Sequence, residues 1–151
     1  MRLLQDPQKP LFARTLGGTY PAGSVFKLVV AVAALEEKVI TDSFTVNSTG
    51  GVHLGDRFFP DWRAGGHGIT NIYTAIAESV NTFFYIVGGG SDTTPGLGVD
   101  MIDSYARLFG FGSVTGIDLP GEVVGFVPSR AWKEEQGEKW YQGDTYNLSI
   151  G

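Results

Sequence analysis

From Ser24 to Lys38 the chain reads SVFKLVVAVAALEEK, apolar at nearly every position from Val25 to Leu35 and free of Gly and Pro. That pattern predicts a helix, and because no face of it is polar, a helix buried on every side. Ahead of it Pro7, Pro10, Gly17, Gly18 and Pro21 predict an extended, turn-rich lead-in. Residues 41–68 show no helical period and many turn formers, which predicts a long irregular segment holding a short hairpin. Helical spacing returns at Ile69, Ile72, Tyr73, Ile76 and Ala77, with Thr70 as the expected N-cap. TFFYIV, after Ser79-Val80-Asn81, predicts the first turns of a further helix that Gly88-Gly89-Gly90 breaks, and GGGSDTTPG predicts a flexible loop. Asp100 is placed to cap a helix carrying Met101, Ile102, Tyr105, Leu108 and Phe109 on one side and stopped by Gly110. TGIDLPGEVVGFVP predicts short strands or extended turns, and Ser129 begins a short polar helix through Glu135.

Composition narrows what such a chain can do. By length, 151 residues amount to about one ordinary domain. The net charge of −5, with no run of Lys or Arg, argues against nucleic-acid binding. With no cysteine there is no disulfide framework, no zinc finger and no Cys nucleophile. The longest strongly apolar run, Leu28 to Leu35, cannot span a bilayer, and residues 1–15 hold charges and two prolines where a signal peptide would need an apolar stretch.

Chemistry concentrates in two short motifs. In Ser24-Val25-Phe26-Lys27, positions i and i+3 share a helix face, so the hydroxyl and the amine can come within hydrogen-bond reach. A serine becomes a nucleophile when a neighbouring base takes its proton, and a lysine serves as that base when burial lowers its pKa. A solvated N-cap serine is the competing reading. In Ser79-Val80-Asn81, at the junction of two helices, a hydroxyl could relay a proton and an amide could bond a substrate peptide group; a capped helix–helix turn explains the same residues. Asp61 and His67, six apart in a Gly-rich loop, read as hydrogen-bonding residues, with metal ligation the alternative. His53 reads as a surface loop residue that nothing pairs with Ser24, which disfavours a Ser-His-Asp triad. Trp132, Trp140 and Tyr141 read as local core, with a peptide groove as the alternative. Gly110 to Gly116 has one residue too many for a dinucleotide fingerprint.

TYPAGSVFK, AESVNTFFY, TGIDLPGE and GDTYNLSIG, in that order and at these separations, resemble the transpeptidase domain of class B penicillin-binding proteins, in their cell-elongation, penicillin-binding protein 2-like branch. The resemblance implies an α+β fold, the penicillin-binding protein transpeptidase and serine β-lactamase-like fold, of which residues 1–151 would form a partial domain, mostly its helical part. It implies peptidoglycan D,D-transpeptidation through a serine acyl-enzyme, with Ser24 the acylated nucleophile, Lys27 its proton acceptor, Ser79 a proton shuttle and Asn81 a binder of substrate amide. Implied partners are the D-Ala-D-Ala donor stem peptide, β-lactams and membrane-bound wall-elongation proteins; no cofactor is implied. The parent would be membrane-anchored with its catalytic domain outside the cytoplasm. Some elongation-type relatives hold a zinc ion near the Asp61–His67 loop with Asp, His and Cys; here Val80 stands between the second-motif residues, and Asn47 is the nearest polar candidate for a further ligand. No Lys-Thr-Gly or Lys-Ser-Gly occurs in the chain. The family's third motif, and the flanking sheet strands, are therefore expected to lie outside it, and these 151 residues alone are expected to be inactive. The alternatives are a non-catalytic assembly module, which shares the fold without the chemistry, and a class D β-lactamase or penicillin-sensor relative, against which TGIDLPGE and GDTYNLSIG argue.

Overall fold

The computed structural model describes Leu3 and residues 5–151. A short turn of helix, α1 (Arg14–Gly17), interrupts the lead-in. A 3-10 turn, Gly23–Phe26, then feeds directly into α2 (Lys27–Glu36). Lys27 is thus the first residue of the α-helix, and Ser24 precedes it in the tighter turn. Four short strands follow: β1 (Thr45–Ser48), β2 (Gly51–Leu54), β3 (Arg57–Pro60) and β4 (Gly68–Asn71). The remaining helices are α3 (Ile72–Ala77), α4 (Asn81–Gly89), α5 (Val99–Leu108), α6 (Arg130–Glu135) and α7 (Gln142–Ile150).

The segment expected to be largely irregular is built of two antiparallel pairs. β2 and β3 form the short hairpin, with Val52 opposite Phe59, while β1 pairs with β4, with Val46 opposite Thr70. The β1–β4 pair brings together residues twenty or more positions apart. Thr70, expected as an N-cap, is instead buried in β4, and Asn71 caps α3 by accepting a bond from Thr74 N–H at 3.0 Å. An amide in extended backbone captures that free N–H as well as a hydroxyl would.

The core lies where α2, α4 and α5 meet. Val30, Ala34, Phe83, Phe84, Val87, Ile102 and Ala106 are fully enclosed there. Each large apolar side chain so enclosed contributes about 1.5–3 kcal/mol relative to exposure. Within these residues only one side of α2 is buried, although its uniform apolarity predicts burial all round. Val29, Val30, Ala31, Ala33 and Ala34 face inward, whereas Val25, in the turn before it, and Leu28, Val32 and Leu35 are exposed. Their spacing of three, four and three residues makes one stripe along the helix.

α4 does not stop at the first glycines; it runs through Gly88 and Gly89 and ends at Gly90, whose φ of 85° only glycine adopts readily. Gly88 and Gly89 let α7 approach: a Cβ on Gly88 would overlap the Ser149 hydroxyl, and one on Gly89 the Tyr146 ring. α7 was not foreseen, because Gly143 and the scattered polar residues of QGDTYNLSI leave no clear helical period. α5 starts at Val99, with Asp100 in its first turn, and stops as expected before Gly110 at φ 88°. Ser129 caps α6 by accepting from Trp132 N–H at 3.2 Å. The TGIDLPGEVVGFVP stretch forms turns and extended chain with no strand.

Candidate active site

The two chemistry-bearing motifs converge because α2 and α4 pack together with their first residues side by side. Ser24 is exposed in the turn before α2, while Lys27, one turn further on, is only 2% exposed. The three hydrogens of its ammonium are fully used: Nζ donates to Ser79 O at 2.8 Å, Ser79 Oγ at 2.9 Å and Asn81 Oδ1 at 2.6 Å. Ser79 Oγ in turn donates to Ser24 Oγ at 2.9 Å. The i, i+3 spacing thus brings Ser24 and Lys27 to one face, but Ser79 bridges them; the direct pairing expected from the sequence is replaced by a three-membered chain. Burial pulls the Lys27 amine from 10.5 down to about 8, against the opposing pull of the negatively charged Asp61.

Ser79 occupies left-handed backbone, φ 54°, in the tight link between α3 and α4. For a residue with a Cβ this conformation costs about 1–2 kcal/mol. It persists because both flanks are held. Behind it, Ser79 N–H donates to Ile76 O and Val80 N–H to Ala75 O, closing the end of α3. Ahead of it, α4 starts at Val80-Asn81, and valine has no side chain with which to cap a helix. The cap comes from Asp61, just past the end of β3, whose carboxylate accepts from Asn81 N–H at 3.2 Å, Thr82 N–H at 2.8 Å and Thr82 Oγ1 at 2.7 Å. Ser48 Oγ and Trp62 N–H complete its shell. Burial would raise the Asp61 carboxyl, yet the bonds from Thr82, Asn81 and Trp62 outweigh it and hold the group below the usual carboxylate range. Sequence reasoning gave Asp61 no catalytic role and could not see this one, since its partners are backbone groups twenty positions away.

His67 lies beside this cap with its side chain fully buried. Nδ1 is 2.7 Å from Glu78 Oε2, and Nε2, 3.8 Å from Asp61 Oδ1, has no hydrogen-bond partner. A buried ring nitrogen facing a carboxylate raises the question of a zinc ion. The donors do not support one. Asn47 sits on β1 between Val46 and Ser48 and is exposed, so strand alternation turns it away from the face on which Ser48 bonds Asp61. Val80 offers no donor, the Asp61 oxygens are occupied, and no cluster of three His, Cys, Asp or Glu occurs among the described residues. Two donors fall short of the three or four that zinc takes from protein.

His53 is exposed on β2, a strand and not a loop, tilted against Phe58 at 4.7 Å. The aromatics read as local core are mostly not buried: Trp132 is 38% and Tyr141 66% exposed. Trp132 packs edge-on to Phe126 at 5.0 Å, and Trp140 donates to Thr145 Oγ1 at 2.8 Å. Together with Phe26, Phe111 and Leu148, Trp132 and Trp140 line an open cleft of about 720 Å³. Ser24, Ser79 and Asn81 open onto a separate shallow groove rimmed by Trp62, Arg63 and Glu78.

A serine at a helix start is here hydrogen-bonded through a second serine to a buried lysine of lowered pKa, an arrangement in which an amine can receive a hydroxyl proton. A family model of the penicillin binding protein transpeptidase domain matches residues 3–151, and the chain belongs to that family. Among curated proteins it is 40% identical to the peptidoglycan D,D-transpeptidase MrdA of Escherichia coli K12 over 99% of its own length and 39% identical to MrdA of Haemophilus influenzae. The chain spans 23% of the length of each of these relatives. Among solved structures it superposes on penicillin-binding protein 2 of Helicobacter pylori with a TM-score of 0.89 at 37% identity, covering 99% of this chain and 28% of that one. Penicillin-binding protein 2 of Pseudomonas aeruginosa, in complex with WCK 5153, gives 0.89 at 35% identity, covering 98% and 33%. The α+β architecture expected from the motifs, dominated in this chain by helices, is that of the family.

Proposed function

We propose that the protein carrying this chain is a peptidoglycan D,D-transpeptidase of cell-wall elongation, with Ser24 as its nucleophile. The observation that carries the reading is the hydrogen-bonded chain Lys27 Nζ–Ser79 Oγ–Ser24 Oγ, with both links 2.9 Å long.

The resting chain runs from ammonium to nucleophile, so Ser24 accepts a hydrogen bond. Loss of one proton from Lys27 reverses it. Ser24 Oγ–H then donates to Ser79 Oγ, and Ser79 Oγ–H donates to the neutral amine. With its pKa at about 8, about a tenth of the amine is neutral at pH 7, against roughly one part in three thousand for a lysine at 10.5. As Ser24 Oγ bonds to the carbonyl carbon of the penultimate D-Ala, its proton passes to Ser79 while the Ser79 proton passes to Lys27. Collapse of the tetrahedral intermediate breaks the C–N bond, and the terminal D-Ala amine leaves with the proton returned along the chain. An acceptor amine then takes the acyl group by the reverse path. The Asn81 amide has its oxygen committed to Lys27, and its nitrogen carries two donors, of which the neighbouring Tyr85 phenol can accept one. The other serves a substrate peptide carbonyl. No step calls for a cofactor.

A β-lactam acylates Ser24 by the same route, its strained amide standing for the D-Ala-D-Ala bond. The similarity to MrdA supports the elongation role, and a complex of Helicobacter pylori penicillin-binding protein 2 with MreC, 38% identical to this chain, supports association with wall-elongation proteins. Such a protein works on the outer side of the cell membrane, anchored to it by a part other than these residues, among whose described helices none is long and apolar enough to cross. Fluorescent penicillin tests the reading. The full-length protein should be labelled covalently and Ser24→Ala should not; absence of label on the wild type, or rapid hydrolysis of the penicillin, overturns it.

A further inference from the structure

The loop between β3 and β4 touches the second motif on both sides of Ser79. Asp61 holds the residues after it, Asn81 and Thr82. Trp62 and His67 hold the residue before it: Trp62 Nε1 donates to Glu78 O at 3.0 Å, and His67 Nδ1, facing an acceptor-only carboxylate, donates to Glu78 Oε2 at 2.7 Å. The His67 ring therefore stands between two carboxylates, one on each flank of a serine whose backbone is strained. Its own place is tightly set. The His67 backbone N–H donates to Ser48 O at 3.1 Å, Trp62 packs edge-on over the ring at 5.2 Å, and Gly66 before it, at φ 71°, is pressed so closely against Ser48 that any Cβ would overlap the Ser48 carbonyl. A rigid loop that grips both flanks of one left-handed residue fixes where that residue's hydroxyl points.

We propose that the Asp61–His67 loop is a metal-free clasp in which His67 is a positioning residue, holding Ser79 in the conformation that joins Ser24 to Lys27. The donors around Nε2 fall short of a zinc site, so the work of a metal strut is done here by a buried imidazole bonded to Glu78 and facing Asp61. His67 touches none of the reacting atoms; it acts through Glu78 and the link to Ser79. The inference rests on the proposed acyl-transfer role of Ser24.

The test is the time course of acylation of the full-length protein by fluorescent penicillin, resolved into the initial binding constant and the acylation rate constant. His67→Ala should lower the rate constant at least tenfold and leave initial binding within about twofold, because the groove stays open while the relay loses alignment. His67→Asn, whose side-chain amide can still donate toward Glu78, should recover the rate to within about threefold of wild type. A strong zinc chelator such as 1,10-phenanthroline should leave the wild-type rate unchanged. Glu78→Ala removes the same contact from the half-exposed partner, and should slow acylation at least threefold while the protein still unfolds cooperatively, with a modest loss of melting temperature from the unpaired His67 Nδ1. Wild-type rates in both His67→Ala and Glu78→Ala, or a loss on chelation that added zinc restores, overturn the clasp. Should His67→Ala fail to fold, Glu78→Ala alone decides. A wild-type protein that takes no label refutes the Ser24 reading instead, which separates the two failures.

Discussion

Ser79 Oγ stands 2.9 Å from Ser24 Oγ on one side and 2.9 Å from Lys27 Nζ on the other, so the hydroxyl of the second motif is the only proton path drawn between nucleophile and base among the described residues. Removing it while leaving both ends in place is the most direct cut available. Ser79→Ala should lower the acylation rate constant for penicillin by about 10²–10⁴-fold, the range of a lost proton-transfer group. Ser79→Gly should lose as much activity yet be more stable than Ser79→Ala by about 1 kcal/mol, because glycine adopts φ 54° freely and alanine does not. Parallel acylation kinetics and thermal melts of the two variants check both statements.

The pH dependence follows from Lys27. Burial lowers its amine to about 8, and only the neutral amine can receive a proton. Acylation should therefore rise about tenfold per pH unit below that value and level off above it. Asp61 works against the shift by favouring the ammonium, so Asp61→Asn, which retains an acceptor oxygen for Thr82, should move the inflection to lower pH. An inflection that stays put or moves upward would refute the assignment.

Asp61 also supports the fold. Deleting its carboxylate leaves Thr82 N–H and Thr82 Oγ1 without their acceptor in a buried place, while Ser48 Oγ keeps Thr82 Oγ1 as a partner at 3.2 Å. Asp61→Ala should cost about 3 kcal/mol at pH 7. Because the folded carboxyl lies below its ordinary value, this stabilisation is complete above the unfolded pKa of about 3.9 and is lost as pH falls through the folded one. The melting-temperature gap between wild type and variant should be widest near neutrality and narrow below about pH 4.

Close packing of α4 on α7 gives a third stability test. A methyl group on Gly88 meets Ser149 Oγ, which is itself tied to Thr145 O at 2.6 Å and cannot swing aside cheaply. Gly88→Ala should destabilise by about 1–3 kcal/mol, read from thermal denaturation. Adding Ser149→Ala should recover part of the loss.

These 151 residues expressed by themselves should not be acylated stoichiometrically by penicillin. They contain the relay but no Lys-Thr-Gly, the third motif that the resemblance to the family implies. Gel fluorescence against the full-length protein at equal concentration reads the difference, and equal labelling would refute the expectation.

How much of this was legible beforehand depended on distance along the chain. Ser24 and Lys27 could be paired from spacing alone, and Ser79 and Asn81 from their place in a family pattern. That Ser79 would stand between the first two needed the crossing of α2 and α4, which no local spacing encodes. Strands of four residues such as β1 and β4 carry too few alternations to be read, and their pairing is non-local. The Asp61 cap is invisible for a related reason: three of its donors are main-chain N–H groups, which every residue has, and the two hydroxyls, of Ser48 and Thr82, lie 13 and 21 positions away. The sequence offers Ser79 or Asn81 as the cap of the following helix; the structure puts Val80 there instead, and the acceptor comes from Asp61.

The stripe of Val25, Leu28, Val32 and Leu35 has a practical consequence for handling the protein. The helix that leads from the nucleophile presents a greasy ridge beginning one residue after Ser24. If these residues are purified alone, two copies can meet along that ridge, so light scattering should rise with concentration, and a mild detergent or a charge placed at Val32 should reverse the rise. Assays of the segment by itself therefore belong at high dilution, with light scattering alongside.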